Sequence, residues 1–252
     1  MRRAPQLEGS ISIICNNIND TNVSKTENLL LNENVLHSID GISLFKRSPL
    51  RLLSLSNNCL ETLPDEISEL TTLERLNLDD NKLFEFPSVL FSLHSLHYLQ
   101  LSGNRLCSLP DFSNHFPFLE ELYVDKCALT ELPESIGELR QLRVLNVGNN
   151  LLTALPEGIG LLTNLEELVM NSNQLEAIPS FIGSLHHLHI LIANSNRIST
   201  LADELADLKE LTLLRLANNE IQELSQRCNA FISQMKDSKE VLLGNPISNS
   251  LA

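Results

Sequence analysis

The chain has 252 residues, of which 42% are hydrophobic and only 4% aromatic, and a formal net charge of −14. This composition excludes a wholly disordered chain and predicts a core built from aliphatic side chains. The acidity argues against nucleic acid and anionic membranes as partners, because both need clustered Lys and Arg, but it suits a protein partner with a basic patch.

The first 25 residues are predicted to form an N-terminal cap or degenerate first coil. The opening MRRAPQLEGSISIICNN contains two Arg but no apolar run of signal-peptide length, and the chain has no run near the roughly 18–20 apolar residues of a membrane span. The cysteines are Cys15, Cys59, Cys107, Cys127 and Cys228. Their odd number and lack of a CxxC pair favour neither a zinc site nor a disulfide framework and indicate a reduced, cytoplasmic protein.

Residues 26–224 repeat one pattern. The stretches LRVLNVGNNLLTALP (142–156) and LEELVMNSNQLEAIP (165–179) share leucine-like residues in the same slots, an Asn at the ninth position and a closing Pro. The residues at the ninth position are Asn16, Asn34, Asn58, Asn81, Asn104, Cys127, Asn150, Asn173, Asn196, Asn219 and Asn245. Seven consecutive gaps between them are 23 residues long, so the chain is predicted to be a stack of similar coils.

Each coil follows the frame LxxLxLxxNxLxxLPxxIxxLxx. The LxL segment has a period of two and predicts a short strand, whereas the spacing of three after the Pro suits 3₁₀ turns. One coil cannot bury its own leucines, so the coils must stack and place their strands side by side in a parallel sheet. The ninth-position amide both donates and accepts, so it is predicted to bond backbone groups from one coil to the next.

This frame resembles that of intracellular leucine-rich repeat proteins of the 23-residue class, which includes Ras-suppressor and Ras-scaffold proteins and their plant relatives. The resemblance covers residues 26–224 well and the two ends loosely. It implies an α/β solenoid, a curved right-handed stack with a parallel sheet on the concave face and 3₁₀, short helical or irregular return legs on the convex face. It also implies that proteins bind the concave sheet.

Two segments depart from the frame. In DFSNHFPF (111–118), Ser113 replaces the expected Ile, and Phe112, Phe116 or Phe118 is expected to fill the gap. Residues 225–252 are predicted to form a C-terminal cap, in which Phe231, Ile232 and Met235 cover the open end of the stack. The sequence LLGNPI near the end of this segment still echoes the turn of the repeat.

Binding residues are expected in the outward slots of the strands, which the repeat leaves unconstrained. The only two tyrosines fall there on adjacent coils, among polar and charged residues that are typical of interface hot spots, and an apolar strip follows. We name the first group the Tyr patch: Arg75, Asp79, Tyr98, Gln100, Glu121, Tyr123 and Asp125. The apolar strip comprises Val144, Val169, Ile190, Ile192 and Leu213. Alternatively, these strip residues are exposed singly and only reflect the preference of strands for branched side chains.

Part of the acidity has a structural explanation. The residues that follow the Pro position are Asp65, Ser88, Asp111, Glu134, Glu157, Ser180 and Asp203. Acids and Ser are favoured at the start of a helical turn, where backbone N–H groups lack partners. No such explanation covers Asp79, Glu121 and Asp125, so this acidic cluster predicts Lys or Arg on the partner.

Neither an enzyme nor a cofactor is expected. His94 and His97 lie four coils from His186, His187 and His189, so the two groups cannot share a metal, and all five are expected to be solvated. GIG at 158–160 lies in a return leg and lacks the following Gly of a nucleotide-binding loop. Cys59, Cys107 and Cys127 are expected to be structural in so acidic a chain.

The sequence therefore favours a monomeric cytoplasmic scaffold or adaptor in signalling that docks a protein partner on its concave sheet. An alternative is a regulatory subunit that modulates a small GTPase or a protein phosphatase, with the GTPase preferred because no RVxF-like motif is present. A third hypothesis is a fragment or an idealised binding scaffold, against which the irregular ends argue.

Overall fold

The computed structural model describes residues 8–10, 23–235 and 238–249. Its strands, in chain order, are β1 (Glu8–Ser10), β2 (Asn28–Leu30), β3 (Val35–Ser38), β4 (Leu52–Ser54), β5 (Arg75–Asn77), β6 (Tyr98–Gln100), β7 (Glu121–Tyr123), β8 (Val144–Asn146), β9 (Glu167–Val169), β10 (Ala177–Ile178), β11 (Ile190–Ile192), β12 (Thr200–Leu201) and β13 (Leu213–Arg215). Among the described residues nine strands form one parallel sheet in the order β13-β11-β9-β8-β7-β6-β5-β4-β2. The predicted leucine-rich repeat solenoid is confirmed.

Alternation along each strand explains how one sheet has a buried face and an open face. In β8, for example, Leu145 is buried, whereas Val144 and Asn146 are half-buried on the other face. Two smaller parallel pairs, β1 with β3 and β10 with β12, lie outside the main sheet. The strand pairing β10–β12 follows the ladder turn, where the frame predicted no strand.

The return legs are 3₁₀ helices, as the spacing of three predicted. They span Ile42–Phe45, Asp65–Glu69, Ser88–Ser92, Glu134–Glu138, Glu157–Leu161, Ser180–Ser184, Asp203–Asp207 and Pro246–Asn249. The residue after the Pro begins the helix as expected, but Pro itself is the N-cap and the acid makes no capping bond within its own helix. Glu134 instead accepts a bond at 2.8 Å from the Gly158 N–H of the next coil. Side-chain capping was therefore the wrong mechanism for these acids.

The ninth-position amides form the predicted ladder. The Leu129 N–H donates to Asn150 Oδ1 at 3.1 Å, and Asn150 Nδ2 donates to Val124 O at 2.9 Å in the preceding coil and to Val147 O at 3.0 Å in its own. The same bonding recurs at Asn58, Asn81, Asn104, Asn173, Asn196 and Asn219. Each amide thus satisfies buried backbone groups in two coils at once. Asn16 and Cys15 lie outside the described residues.

Cys127 replaces one rung, as predicted, and keeps only part of its function. Its thiol donates to Leu101 O at 3.5 Å, the contact to the preceding coil that an Asn makes with Nδ2. Sulfur is a weak donor and acceptor, so this rung ties its coils less firmly than an amide. Burial raises the pKa of the Cys127 thiol, which keeps it protonated as a donor.

A left-handed residue precedes each rung. Among the described residues φ is between 51° and 76° at Glu33, Asn57, Asp80, Gly103, Lys126, Asn149, Ser172, Ser195, Asn218 and Gly244. This turn takes the chain out of the strand and directs the ladder amide into the core. The sequence signal was present, because Asn, Asp and Gly tolerate this conformation best.

The irregular segment 111–118 fills its gap with two of the three candidate phenylalanines. Phe112 and Phe116 are fully buried and lie 6.2 Å apart, while Phe118 is 54% exposed and stacks on His97 with centroids 5.9 Å apart. Phe116 has φ of 53°, which is strained for a bulky residue. Burial of its ring in an aliphatic core offsets that strain.

The C-terminal residues close the stack and also extend the ladder. Helix α1 (Gln226–Ser233) begins at Ser225, whose side chain accepts from the Cys228 N–H, and it buries Ile232 as predicted. Phe231 and Met235 are partly buried against the core. After α2 (Ser238–Val241), Asn245 accepts from the Ile221 N–H at 3.1 Å and forms a further rung. The division into cap (1–25), repeats (26–224) and cap (225–252) stays a prediction.

Candidate functional site

The strand register places the predicted binding residues on the open face of the main sheet. Neighbouring strands pair without slippage, so Arg75, Tyr98, Glu121 and Val144 form one row across β5 to β8. Gln100 and Tyr123 belong to a parallel second row with Val169 and Ile192. Arg75 is exposed and the other candidates, namely Asp79, Tyr98, Gln100, Glu121, Tyr123, Asp125, Val144, Val169, Ile190, Ile192 and Leu213, are half-buried. A partner could therefore reach all of them.

The two tyrosines form the centre of the Tyr patch. Their ring centroids are 5.5 Å apart at an angle of 49°, and the Arg75 guanidinium lies 5.0 Å from the centre of the Tyr98 ring. The Tyr123 hydroxyl donates to Glu121 at 2.8 Å. Burial and the nearby Glu121 raise the pKa of both phenols, so both remain neutral at physiological pH. The patch is thus ordered before a partner arrives, which lowers the entropic cost of binding.

The acidic cluster has a structural role that sequence reasoning missed. Asp79 accepts the Ser102 N–H of the next coil at 2.7 Å, in the same way that Asn194 accepts the Ala217 N–H at 2.8 Å. Asp125 accepts bonds from the Ser102 hydroxyl and, at 3.1 Å, from Asn146 Nδ2. The expectation that this cluster has no structural explanation was wrong. Its charge remains available to a basic partner, but a partner is not needed to explain it.

Burial raises the pKa of Asp79 to about 6, and the charges of Asp125 and Asp80 add to the effect. The folded state therefore holds this proton more tightly than the unfolded chain, whose Asp has a pKa near 4. Ionisation of Asp79 thus costs stability. The favourable contribution of the neutral form is complete below about pH 4 and is lost as the pH rises through about 6.

We expect Asp79→Asn to stabilise the protein at pH 7 by about 1 kcal/mol, a figure reduced for the partial exposure of the group. The amide still accepts the Ser102 N–H but removes the buried charge. Urea unfolding at pH 4.5 and 7 measures the difference, which should nearly vanish at the lower pH. Asp65→Asn, at an exposed return-leg carboxyl, is the control, and an unchanged pH dependence in Asp79→Asn would refute the assignment.

The apolar strip is made of two adjacent pairs and an outlier. Val169 faces Ile192 in one row, and Ile190 faces Leu213 in the other. Glu167 lies between Ile190 and Val144, so Val144 is separated from the rest by a charge. Next to the strip, Arg215 pairs with Glu240 at 3.5 Å. The four paired residues therefore form the contiguous apolar surface.

A shallow depression lies at the N-terminal side of the same face. It has a volume of about 270 Å³ and is lined by Leu30, Leu52, Leu53, Ser54, Arg75, Leu76, Asn77, Tyr98 and Gln100. Leu30 is 64% exposed on β2, and it was missed because the sequence rows were read only from Leu52 onward. The depression thus extends the Tyr patch by an apolar wall.

The histidines do not form a metal site with their own coil. Glu210 of the next coil lies 3.2 Å from His187 and 3.8 Å from His189, a carboxylate that the sequence reading did not bring near them. The part of the chain that the structure describes holds no group of three or more His, Cys, Asp or Glu arranged to bind a metal ion. Nor does any described helix have the length and apolar character needed to cross a membrane.

Known proteins share this repeat and this fold. The leucine-rich repeat family matches residues 24–83, and the leucine-rich repeat region family matches residues 89–180. A leucine-rich repeat protein of Leptospira interrogans is 30% identical with a TM-score of 0.81, over 89% of this chain and 56% of that one. No curated protein matches the sequence significantly.

Two further similar structures are complexes. One contains the Arabidopsis receptor kinase HAESA with the peptide hormone IDA and the co-receptor SERK1 (28% identity, TM-score 0.75, 96% of this chain and 40% of that one). The other is the octameric complex of latrophilin 3, Unc5D and the leucine-rich repeats of FLRT2 (26% identity, TM-score 0.70, 83% of this chain and 65% of that one). The chain thus spans less than two thirds of each of these similar proteins. Repeat, ladder, sheet and matches agree that the chain is a leucine-rich repeat protein.

Proposed function

We propose that the protein is a non-catalytic scaffold or adaptor that docks a protein partner on the concave face of its main sheet. The observation that carries the proposal is the ordered pair Tyr98 and Tyr123, with centroids 5.5 Å apart on the open face. Tyrosine is enriched at binding hot spots because it offers a large area and a polar tip at small entropic cost. The four paired residues of the apolar strip extend this surface.

The similar complexes support this proposal as analogies. Peptide and protein partners occur in the complexes that contain HAESA and FLRT2. The fold hosts many partners, so the identity of this one depends on the residues in the variable rows. Those rows combine aromatic, acidic and apolar side chains, which suits a protein surface with both basic and apolar residues.

Removal of both ring systems tests the proposal. We expect Tyr98→Ala/Tyr123→Ala to weaken binding of the specific partner roughly thirtyfold, about 2 kcal/mol, with little change in melting temperature, because both side chains are partly exposed. Partners captured from lysate by the immobilised protein are quantified by mass spectrometry, and the affinity of each is then measured with purified protein.

The matched control also removes two aromatic rings. Phe84→Ala/Phe118→Ala changes residues that are each 54% exposed but lie off the sheet face, so it should leave partner binding intact. Equal recovery of every specific partner by wild type and by the double tyrosine variant would contradict the proposal.

We also propose that the protein works in the cytoplasm, in signalling. What supports the location is the thiol state of Cys59, Cys107, Cys127 and Cys228, which are all free. What supports the signalling role is the resemblance of the frame to the 23-residue intracellular class of Ras-suppressor and Ras-scaffold proteins. Fractionation of cells that express the tagged full chain would test the location, and recovery in a membrane or secreted fraction would argue against it.

A further inference from the structure

Arg75 is placed unusually for a cation in so acidic a protein. Of the two arginines in the outward rows, Arg215 has Glu240 at 3.5 Å, whereas Arg75 has no acid within 4.0 Å among residues 23–235 and 238–249. The Tyr98 ring holds the Arg75 guanidinium at 5.0 Å. Stacking leaves the edge of the guanidinium, with its fork of N–H donors, open to solvent.

A second donor lies beside it. Asn77 and Gln100 are directly paired on β5 and β6, and Asn77 Nδ2 donates to Gln100 Oε1. This bond fixes the Gln100 amide, and its Nε2 makes no hydrogen bond within the described part of the chain. Arg75 and Asn77 share one strand face, as do Tyr98 and Gln100, so the donors converge on one area of roughly one strand spacing, ~5 Å.

The wall of this area is apolar. Leu52 faces Arg75 on the adjacent strand, and Leu30, 64% exposed, lies one strand further out. Together with the donors they line the depression of about 270 Å³. Donors without acceptors beside an apolar wall suit an acceptor group that carries negative charge and is attached to an apolar neighbour.

The nearby acids do not neutralise Arg75. Glu121 is two strands away in the same row, roughly 10 Å, and accepts a bond from the Tyr123 hydroxyl. Asp79 is four residues along β5 and its extension, roughly 13 Å, and accepts the Ser102 N–H. At physiological ionic strength these distances exceed the screening length of about 8 Å, so a carboxylate at Arg75 is attracted more than it is repelled.

We propose that the depression is the anchor subsite of the concave face, and that it binds the side-chain carboxylate of an Asp or Glu that stands next to a large apolar residue in the protein partner. Arg75 and Gln100 hold the carboxylate, while Leu30 and Leu52 contact the apolar neighbour. This subsite rests on the proposed function of the sheet and adds an acidic anchor to a face whose other half suits basic residues. The two ends of the face thereby fix the orientation of the partner.

The test uses a phage-displayed library of random dodecapeptides inserted between two folded domains, so that no peptide end is free. Selection on the immobilised wild-type chain should enrich sequences with Asp or Glu beside Leu, Ile, Met or Phe. Affinity for the selected peptides should fall about tenfold or more in Arg75→Gln, and equally when the selected acid is changed to its amide. Arg75→Lys should give an intermediate loss, because Lys keeps the charge but not the planar fork.

Two further arms separate the possible outcomes. Arg105→Gln makes the same charge change at an exposed residue off the sheet face and should bind as wild type does. Synthetic copies with amidated and free C-termini should bind alike, and binding of the free-acid form alone would overturn the side-chain assignment. Because the peptide amide variants are read on the wild-type chain, the result holds even if Arg75→Gln folds poorly.

Equal affinity for Arg75→Gln and wild type, or selection of peptides without acids, would overturn the subsite. If such peptides still lose affinity in Tyr98→Ala/Tyr123→Ala, the sheet binds partners and only the acidic anchor is wrong. If they depend on neither variant, the docking function of this face fails as well. The two failures are therefore distinguishable in one set of measurements.

Discussion

Replacement of Asn150 by Leu is expected to lower the free energy of unfolding by about 3 kcal/mol, because it removes a rung between two coils. The amide is 5% exposed and bonds the Leu129 N–H, Val124 O and Val147 O. Leu is of similar size but satisfies none of these groups, and each buried backbone group left without a partner costs about 1–3 kcal/mol. Some relaxation between the coils limits the total.

Urea unfolding measures the global effect, and hydrogen exchange locates it. The Leu129 amide should lose protection in Asn150→Leu, whereas the Leu152 amide, which donates to Asn173 at 3.0 Å, should keep more of it. Asn164→Leu is an exposed control with a single side-chain bond, to Arg140 O. Asn150→Cys should cost less than Leu, because the thiol at Cys127 already replaces an amide in the native stack. A Leu129 amide as protected as in wild type would contradict the ladder role of Asn150.

The repeat made most of the fold predictable, since a position modulo 23 residues defines its environment. The assignment of Tyr98 and Tyr123 to neighbouring outward slots depended only on this register, and the observed pairing of β6 with β7 confirms it. The buried leucines of the LxL segments and the ladder amides were predictable for the same reason. Their environments repeat, so an error at one coil would have been visible at the others.

Contacts between variable side chains of different coils were not predictable in this way. The bond from Ser102 N–H to Asp79 and the contact of Glu210 with His187 depend on rotamers that the frame does not constrain. The choice of Phe112 and Phe116 over Phe118 depends on a local turn with positive φ, which breaks the register. The assignment of partner contacts to particular site residues stays a prediction, because surface chemistry is what the repeat leaves free.

Replacement of Gly158 by Ala is expected to destabilise the stack by about 3 kcal/mol, although it adds a single methyl group. A Cβ at this position would lie 2.1 Å from the backbone carbonyl oxygen of Glu134 in the preceding return leg. Backbone cannot rotate away as a side chain can, so the two 3₁₀ helices would have to separate. That movement would also stretch the bond from the Gly158 N–H to Glu134, which is 2.8 Å long. The glycines of the GIG sequence thus serve coil packing.

Gly160→Ala is the matched control, since it makes the same substitution two residues later in the same helix. A Cβ there would meet the Cβ of Phe181 at 3.1 Å, a contact that a shift of a few tenths of an ångström relieves. The loss of backbone freedom in the unfolded chain favours Ala by about 0.4–1 kcal/mol at both positions, so Gly160→Ala should be nearly neutral. Guanidinium unfolding midpoints of the two variants therefore isolate the backbone clash. Equal midpoints would show that neighbouring coils can separate at no cost, which is incompatible with coils that are stable only by packing on one another.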